Sequence, residues 1–174
     1  GHRSSFVLAP PDQRPAERRS LGTLEALHEA RLPAYPVVRC ATWQPESGDR
    51  GARQIIETYG EQVTAIACAN DEIALGAIRA LHDLGLRVPE DVSIIGFDDN
   101  PISAYSSPSL TTMHQDFESL GVLAFDVLMD LIDGTALRTE RSLPSGTRRR
   151  PPPWTTATSW TSRSRVLTAP GMNR

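Results

Sequence analysis

The sequence predicts an α/β fold, a doubly wound parallel sheet covered by helices, and three observations carry that expectation. Short, near-continuous apolar runs at residues 5–9, 35–41, 63–69 and 92–97 alternate with segments of helical spacing. Strands buried on both faces read as such runs, and the helices that cover them supply the crossovers between parallel neighbours. The two clearest runs also stop at polar pairs, Asn70-Asp71 and Asp98-Asp99. In parallel sheets ligands bind beyond the carboxyl ends of the strands, where these pairs fall.

Residues 5–9 form the first strand, stopped by Pro10-Pro11, and 16–30 a helix that turns Leu21, Leu24 and Leu27 toward the sheet. The second strand is 35–41, and the second helix, 46–59, faces Ile55 and Ile56 inward. After the strand at 63–69, residues 72–84 place Ile73, Ala77, Ala80, Leu81 and Leu84 at the spacing of one helix face. Gly85 then supplies a C-cap, and Pro89 closes the turn before strand 92–97. Residues 110–113 form a short extended segment. A long helix follows at 117–132, with a broad apolar stripe of Phe117, Leu120, Leu123, Ala124, Val127, Leu128 and Leu131, and Gly134 ends it.

A chain of 174 residues with 39% hydrophobic content is large enough for one domain with a real core. No apolar run approaches the ~20 residues that span a bilayer, and the start lacks a basic-then-apolar signal pattern, so a cytoplasmic protein without membrane contact is expected. Cys40 and Cys68 lie inside predicted strands and read as reduced core thiols. The net charge of −3 hides a split. Residues 1–134 carry 10 Arg against 20 Asp and Glu, whereas 135–174 carry 8 Arg against the single Glu140. All basic residues are Arg, which GC-rich coding explains. An acidic body does not grip a phosphate backbone, because nonspecific nucleic-acid binding rests on clustered positive charge.

The wording of the central stretch is recognisable. Ala69-Asn70-Asp71-Glu72-Ile73-Ala74-Leu75-Gly76-Ala77, then Val88-Pro89-Glu90-Asp91-Val92-Ser93-Ile94-Ile95-Gly96-Phe97-Asp98-Asp99, resembles the effector-binding domain of the LacI/GalR family of bacterial transcription regulators. Gly1-His2-Arg3 is similar to the element that precedes a strand in that family, and Arg19-Ser20-Leu21-Gly22 to its helix bearing a ligand-binding arginine. Ser109-Leu110-Thr111-Thr112 with Gln115-Asp116-Phe117 is similar to the crossover by which the family's chain returns to its other subdomain. The resemblance spans roughly residues 1–134. It implies a periplasmic-binding-protein-like fold of type I, with 1–113 as the C-terminal subdomain and 114–134 as the crossover and a helix of the other subdomain. It also implies a homodimer, a small sugar or nucleobase-like effector in the cleft, and operator DNA contacted only through a headpiece absent from these residues. The chain is therefore expected to be a fragment.

Residues 135–174 lose the resemblance and are expected to be irregular. Pro, Arg, Ser and Thr dominate there without a period of 2 or 3.6, a composition that cannot bury enough surface to offset chain entropy. A shift of reading frame near Leu143-Pro144 would produce this change; a nucleic-acid arm built on Arg148-Arg149-Arg150 beside Trp154 and Trp160 is the rival explanation.

Candidate ligand residues follow from chemistry and resemblance together. Arg19 offers five fixed donors suited to paired hydroxyls or a carboxylate. Asp98 offers two acceptors for adjacent hydroxyls or ring N–H groups. Asn70 both donates and accepts, with Asp71 expected to cap the helix in its place. Trp43 can stack on a pyranose ring, and Gln115 lies on the crossover. Asp99 is expected to orient a neighbouring loop or to cap the next segment. Leu75, Ile78 and His82 form a second stripe on the helix of Ile73, with Tyr105 nearby, and resemble the family's dimer contact.

An enzyme reading is weak. Acidic pairs at strand ends also occur in Mg²⁺-dependent phosphotransfer folds, but these need a nucleophilic carboxylate on another strand and a basic partner, and no aspartate ends the first strand. No His adjoins a Ser or Cys in a Gly-x-Ser-x-Gly pattern. Neither catalysis, cofactor nor metal is expected. The nearer alternatives are a periplasmic sugar-binding protein, which shares the fold, and a truncated remnant.

Overall fold

A computed structural model describes residues 5–11, 13–33, 35–134 and 146–148. Strands β1 (Phe6–Ala9), β2 (Val38–Arg39), β3 (Ala65–Cys68), β4 (Ser93–Asp98), β5 (Thr111–His114) and β6 (Gly146–Arg148) form one sheet in the order β2-β1-β3-β4-β5-β6. The first five are parallel and β6 pairs antiparallel with β5. Helices α1 (Arg14–Glu29), α2 (Pro45–Tyr59) and α3 (Asp71–Asp83) connect the first four strands, and α4 (Phe117–Ile132) follows β5. The chain steps from β1 out to β2 and then back across β1 to β3. With right-handed crossovers this reversal places α1 on one face and α2 with α3 on the other.

The core lies between the sheet and the α2–α3 layer. Phe6, Leu8, Ile55, Ile66, Ile73, Leu81 and Leu110 are fully buried, and β1 is buried along its whole length, as a central strand should be. At the amino-terminal edge Phe6 stacks on Tyr35 with ring centroids 4.3 Å apart, and Tyr59 closes the cluster. Cys40 and Cys68 are buried and unbridged, and burial pushes the Cys40 thiol up to about 11, which keeps it protonated and inert at neutral pH.

Helices α2 and α3 touch backbone to backbone. A β-carbon at Gly76 would collide with the Pro45 carbonyl, and one at Gly48 with the Ile73 carbonyl. Outside this contact Arg53 bridges Asp49 at 3.0 Å on its own helix and Asp83 at 2.9 Å on α3.

Several expectations change in detail. Helix α1 begins two residues early, with Pro15 in its first turn, and buries Ala16, Ser20 and Leu27, with Leu24 partly buried. Leu21 therefore faces solvent rather than the sheet, because it falls off the stripe that 16, 20, 24 and 27 define. Leu84 is likewise exposed, as the C-cap of α3. The second strand contracts from 35–41 to two residues. It is an edge strand in which Pro36 lacks an N–H to pair, and Tyr35 is taken up by the aromatic cluster.

Among the described residues the stripe on α4 stays largely uncovered: Phe117, Leu120, Ala124, Leu128 and Leu131 are exposed and only Leu123 and Val127 are partly buried, while Val122, Phe125 and Ile132 beside the stripe are exposed as well. The segment expected to be irregular contains β6, whose backbone extends the sheet through the pairs Thr112↔Arg148 and His114↔Gly146. An edge strand with open N–H and C=O groups gives a three-residue segment a partner that composition does not reveal. The Gly1-His2-Arg3 element, the Leu143-Pro144 junction and Trp154 and Trp160 lie outside the described residues.

Two glycine substitutions separate packing from propensity. Gly76→Ala, despite alanine's better helix propensity, is expected to lower stability by roughly 1–3 kcal/mol because the helices must part. Gly22→Ala, on α1 with nothing within 4 Å, should raise it by about 0.5–1 kcal/mol. Urea unfolding of both variants measures the contrast, and equal shifts of the same sign would refute it.

Candidate effector site at the strand ends

The site forms where β1, β3, β4 and β5 end, beside the point at which strand order reverses. Beyond the end of β4 the chain turns sharply: Asp98 has φ 111° and Asp99 φ 55°, in the left-handed region that side chains rarely adopt. This turn leaves the Asp98 carboxylate among donors from two other elements. Arg19 Nη2 lies 2.9 Å from Asp98 Oδ1, and Gln115 Nε2, just beyond β5, donates to the same oxygen. The other Arg19 nitrogen, Nη1, donates to the Ala69 carbonyl at 2.6 Å. The guanidinium lies 4.0 Å over the Phe97 ring and 5.6 Å from that of Trp43, so its plane is fixed by aromatic faces as well as by hydrogen bonds. Trp43 in turn donates its indole N–H to Gln13.

All five expected ligand residues thus meet, but in two roles. Arg19 in the second turn of α1, Asp98, Gln115 and Trp43 present polar or aromatic surface. Asn70 is 7% exposed, and its side chain is already engaged. Its Oδ1 accepts the Ile73 amide at 2.9 Å as the N-cap of α3, and its Nδ2 donates to the Trp43 carbonyl at 3.1 Å. The capping role expected of Asp71 belongs to Asn70, because an N-cap must be the last extended residue and Asn70 has φ −148°. Asn70 consequently pins the Trp43 loop to α3.

Burial pushes the Asp98 carboxyl above its ordinary value, and the Arg19 charge and the hydrogen bonds from Arg19 and Gln115 oppose that shift. Asp99 Oδ2 accepts from His114 Nδ1 at 2.9 Å and thereby ties the turn to β5. Among the described residues no group of three or more His, Cys, Asp or Glu could hold a metal ion, and no helix is long and apolar enough to cross a membrane.

Comparison with known proteins places this geometry. A family model described as periplasmic binding protein-like domain matches residues 1–150. The HTH-type transcriptional repressor PurR of Klebsiella pneumoniae subsp. pneumoniae is 41% identical over 135 residues, covering 76% of this chain and 39% of that protein. The lac repressor dimer, solved bound to operator and the anti-inducer ONPF, superposes with a TM-score of 0.78 at 34% identity, covering 86% of this chain and 52% of that one. The transcriptional regulator CelR in complex with cellobiose gives 0.77 at 30% identity, covering 86% and 46%. This chain belongs to the periplasmic binding protein-like domain family, in its LacI branch. It spans about two fifths of the length of the curated relatives it matches.

Within this LacI-type domain the sequence reading missed the residues that hold the site from behind. Asp71 accepts hydrogen bonds from the Asn100 amide and Ser103 Oγ, both at 2.7 Å, and from Thr112 Oγ1. One signal was available. Glycine inside a strand marks a close approach, and a β-carbon at Gly96 would overlap the Asp71 carboxylate. Phe97, the floor beneath Arg19, was read only as part of its strand. Of the expected dimer residues, His82 and Tyr105 are exposed and Leu75 is partly so, whereas Ile78 belongs to the core and has little surface to offer.

The raised Asp98 carboxyl fixes the sign of a pH effect. The folded protein holds this proton more tightly than the unfolded chain, so the stabilisation is present at low pH and is lost as pH rises through the folded value. Relative to the parent, Asp98→Asn is therefore expected to gain stability as pH rises from about 3 to 7, starting from the ordinary carboxylate range near 4. Thermal melts of both proteins across that interval test it. A variant that loses ground toward pH 7 would mean that the Arg19 pair outweighs burial.

Proposed function

We propose that this domain is the effector-sensing part of a cytoplasmic transcription regulator, and that a polyhydroxylated or nucleobase-like molecule binds where Arg19, Asp98, Gln115 and Trp43 converge. The observation that carries the reading is the shared acceptor: Asp98 Oδ1 takes hydrogen bonds from Arg19 and from Gln115 at once. Gln115 stands where the chain leaves the sheet for α4. A ligand hydroxyl that bonds Asp98 competes with Gln115, so occupancy of the site bears directly on the exit segment. Trp43 and Phe97 add apolar faces of the kind that stack on sugar rings or bases.

The rest of the mechanism belongs to the whole protein. The exposed apolar face of α4 fits a helix that packs in a second subdomain, with the effector between the two. Leu75, His82 and Tyr105 on the α3 side would meet their copies in a homodimer, and operator contact would lie in a headpiece. PurR and the lac repressor are repressors, which favours the regulator over a transport receptor and over an enzyme. Coupling between such sites is typically ~1–3 kcal/mol, or about 5- to 150-fold in operator affinity.

The test uses the full-length protein on its operator, titrated with a panel of sugars, cellobiose included, and of purine bases. Charge-assisted hydrogen bonds contribute roughly 1.5–3 kcal/mol, so Arg19→Met should raise the effective concentration of the responding compound about 10-fold or more. Asp98→Ala should abolish the response while operator binding persists. Titrations that match the parent in both variants would remove this cluster from the effector site.

A further inference from the structure

We infer that Asp71 is the positioning residue of this site: its buried carboxylate holds the left-handed turn at Asp98 and Asp99 and so aims Asp98 at Arg19 and Gln115. The inference rests on the effector reading above and deepens it by naming what sets the geometry of the ligand-facing carboxylate. Asp71 occupies the first turn of α3, is 1% exposed and does not itself reach Arg19, Gln115 or Trp43 through any hydrogen bond. Its partners lie far along the chain. Oδ2 accepts from the Asn100 amide and from Ser103 Oγ, at 2.7 Å each, and Oδ1 accepts from Thr112 Oγ1. Thr112 Oγ1 also accepts from the Asp99 amide at 3.2 Å.

Two successive amides after Asp98 are thus held by one carboxylate, the second directly and the first through a hydroxyl. These are the amides whose direction a turn with φ 111° and 55° determines. Residues other than glycine in such conformations cost of order 1–3 kcal/mol each and persist only where surrounding contacts over-determine them. A carboxylate out of contact with water is itself unfavourable unless its oxygens are satisfied, so the carboxylate and the turn each supply what the other lacks. The strand makes room for the arrangement: Gly96 is the position where any β-carbon would overlap Asp71 Oδ1. Ser103 and Asn100 also lock the short 3-10 segment Pro101–Ala104 beneath the turn, since Asn100 caps it.

A residue that only stabilised the fold would move all parts of it together. The test therefore follows the Arg19 guanidinium and Gln115 side-chain amide resonances by ¹⁵N NMR in the full 174-residue chain, assigned by their loss in Arg19→Met and Gln115→Ala. Two variants are compared, Asp71→Asn, which presents an amide N–H where an acceptor is needed, and Thr112→Val, which keeps shape but removes the relay hydroxyl. The expected result is selective: both side-chain signals shift toward solvent-exposed positions and exchange with water at least tenfold faster, while backbone amides of β1 and β3 stay in place. Unchanged Arg19 and Gln115 signals in the folded variants would overturn the inference. Loss of the β1 and β3 signals in Thr112→Val would also overturn it, because the role is then structural alone. The measurement needs no effector, so positioning can hold even if titrations of full-length Asp98→Ala show that the effector reading fails.

Discussion

The constraint on which this structure depends is the handedness of its crossovers. A chain that moves outward from β1 to β2 and then back to β3 must put its helices on opposite faces, because each connection is right-handed. No helix therefore bridges the carboxyl ends of β1 and β3, and a crevice opens between them. The candidate site gathers beside this opening. Arg19 reaches in from α1 on one face, Asn70 and Asp71 start α3 on the other, and Asp98 and Gln115 end β4 and β5. Packing enforces the arrangement from below. The backbone contact of α2 with α3 through Gly48 and Gly76 fixes the second layer, and with it the first turn of α3.

The site sits against the fold's own preferences. Asp98 is half-buried, pushed toward protonation, and placed in a backbone conformation that favours glycine. A protein selected for stability alone would hold a smaller, neutral residue there. What offsets the cost is the set of contacts around it: Arg19 braced on Phe97 and Trp43, and the Asp71 carboxylate beneath the turn. Strain of this kind at a candidate site is the usual trade between stability and function.

The fold was legible because apolar runs of strand length and helices of 3.6 periodicity alternate cleanly from Phe6 to Ile132. Strand ends were legible too, since Asn70 and Asp98 stop their runs abruptly. What could not be read were roles decided by partners distant in the chain. Asn70 and Asp71 are adjacent residues that can each cap a helix, and only Ser103 and Thr112, more than thirty positions away, draw Asp71 inward instead. Leu21 looks like a core leucine until the start of α1 is known to within a residue. The second strand looked longer because Tyr35 serves an aromatic cluster rather than a ladder and Pro36 has no N–H to pair. Strand β6 was invisible for a related reason, since three residues flanked by Pro and Arg carry no strand pattern of their own and pair along the open edge of β5.

That last pairing has a consequence in polymer terms. His114 and Gly146 are register partners, so the chain that leaves the sheet after β5 returns to the place it left. The entropy of closing such an excursion grows only with the logarithm of its length, about 0.6 kcal/mol for each doubling. Once strands β5 and β6 hold the two ends, the stretch between them, α4 included, can lengthen or be rebuilt at small thermodynamic expense to the sheet. A single continuous polypeptide can in this way thread one folded unit through another, with the sheet indifferent to what lies between.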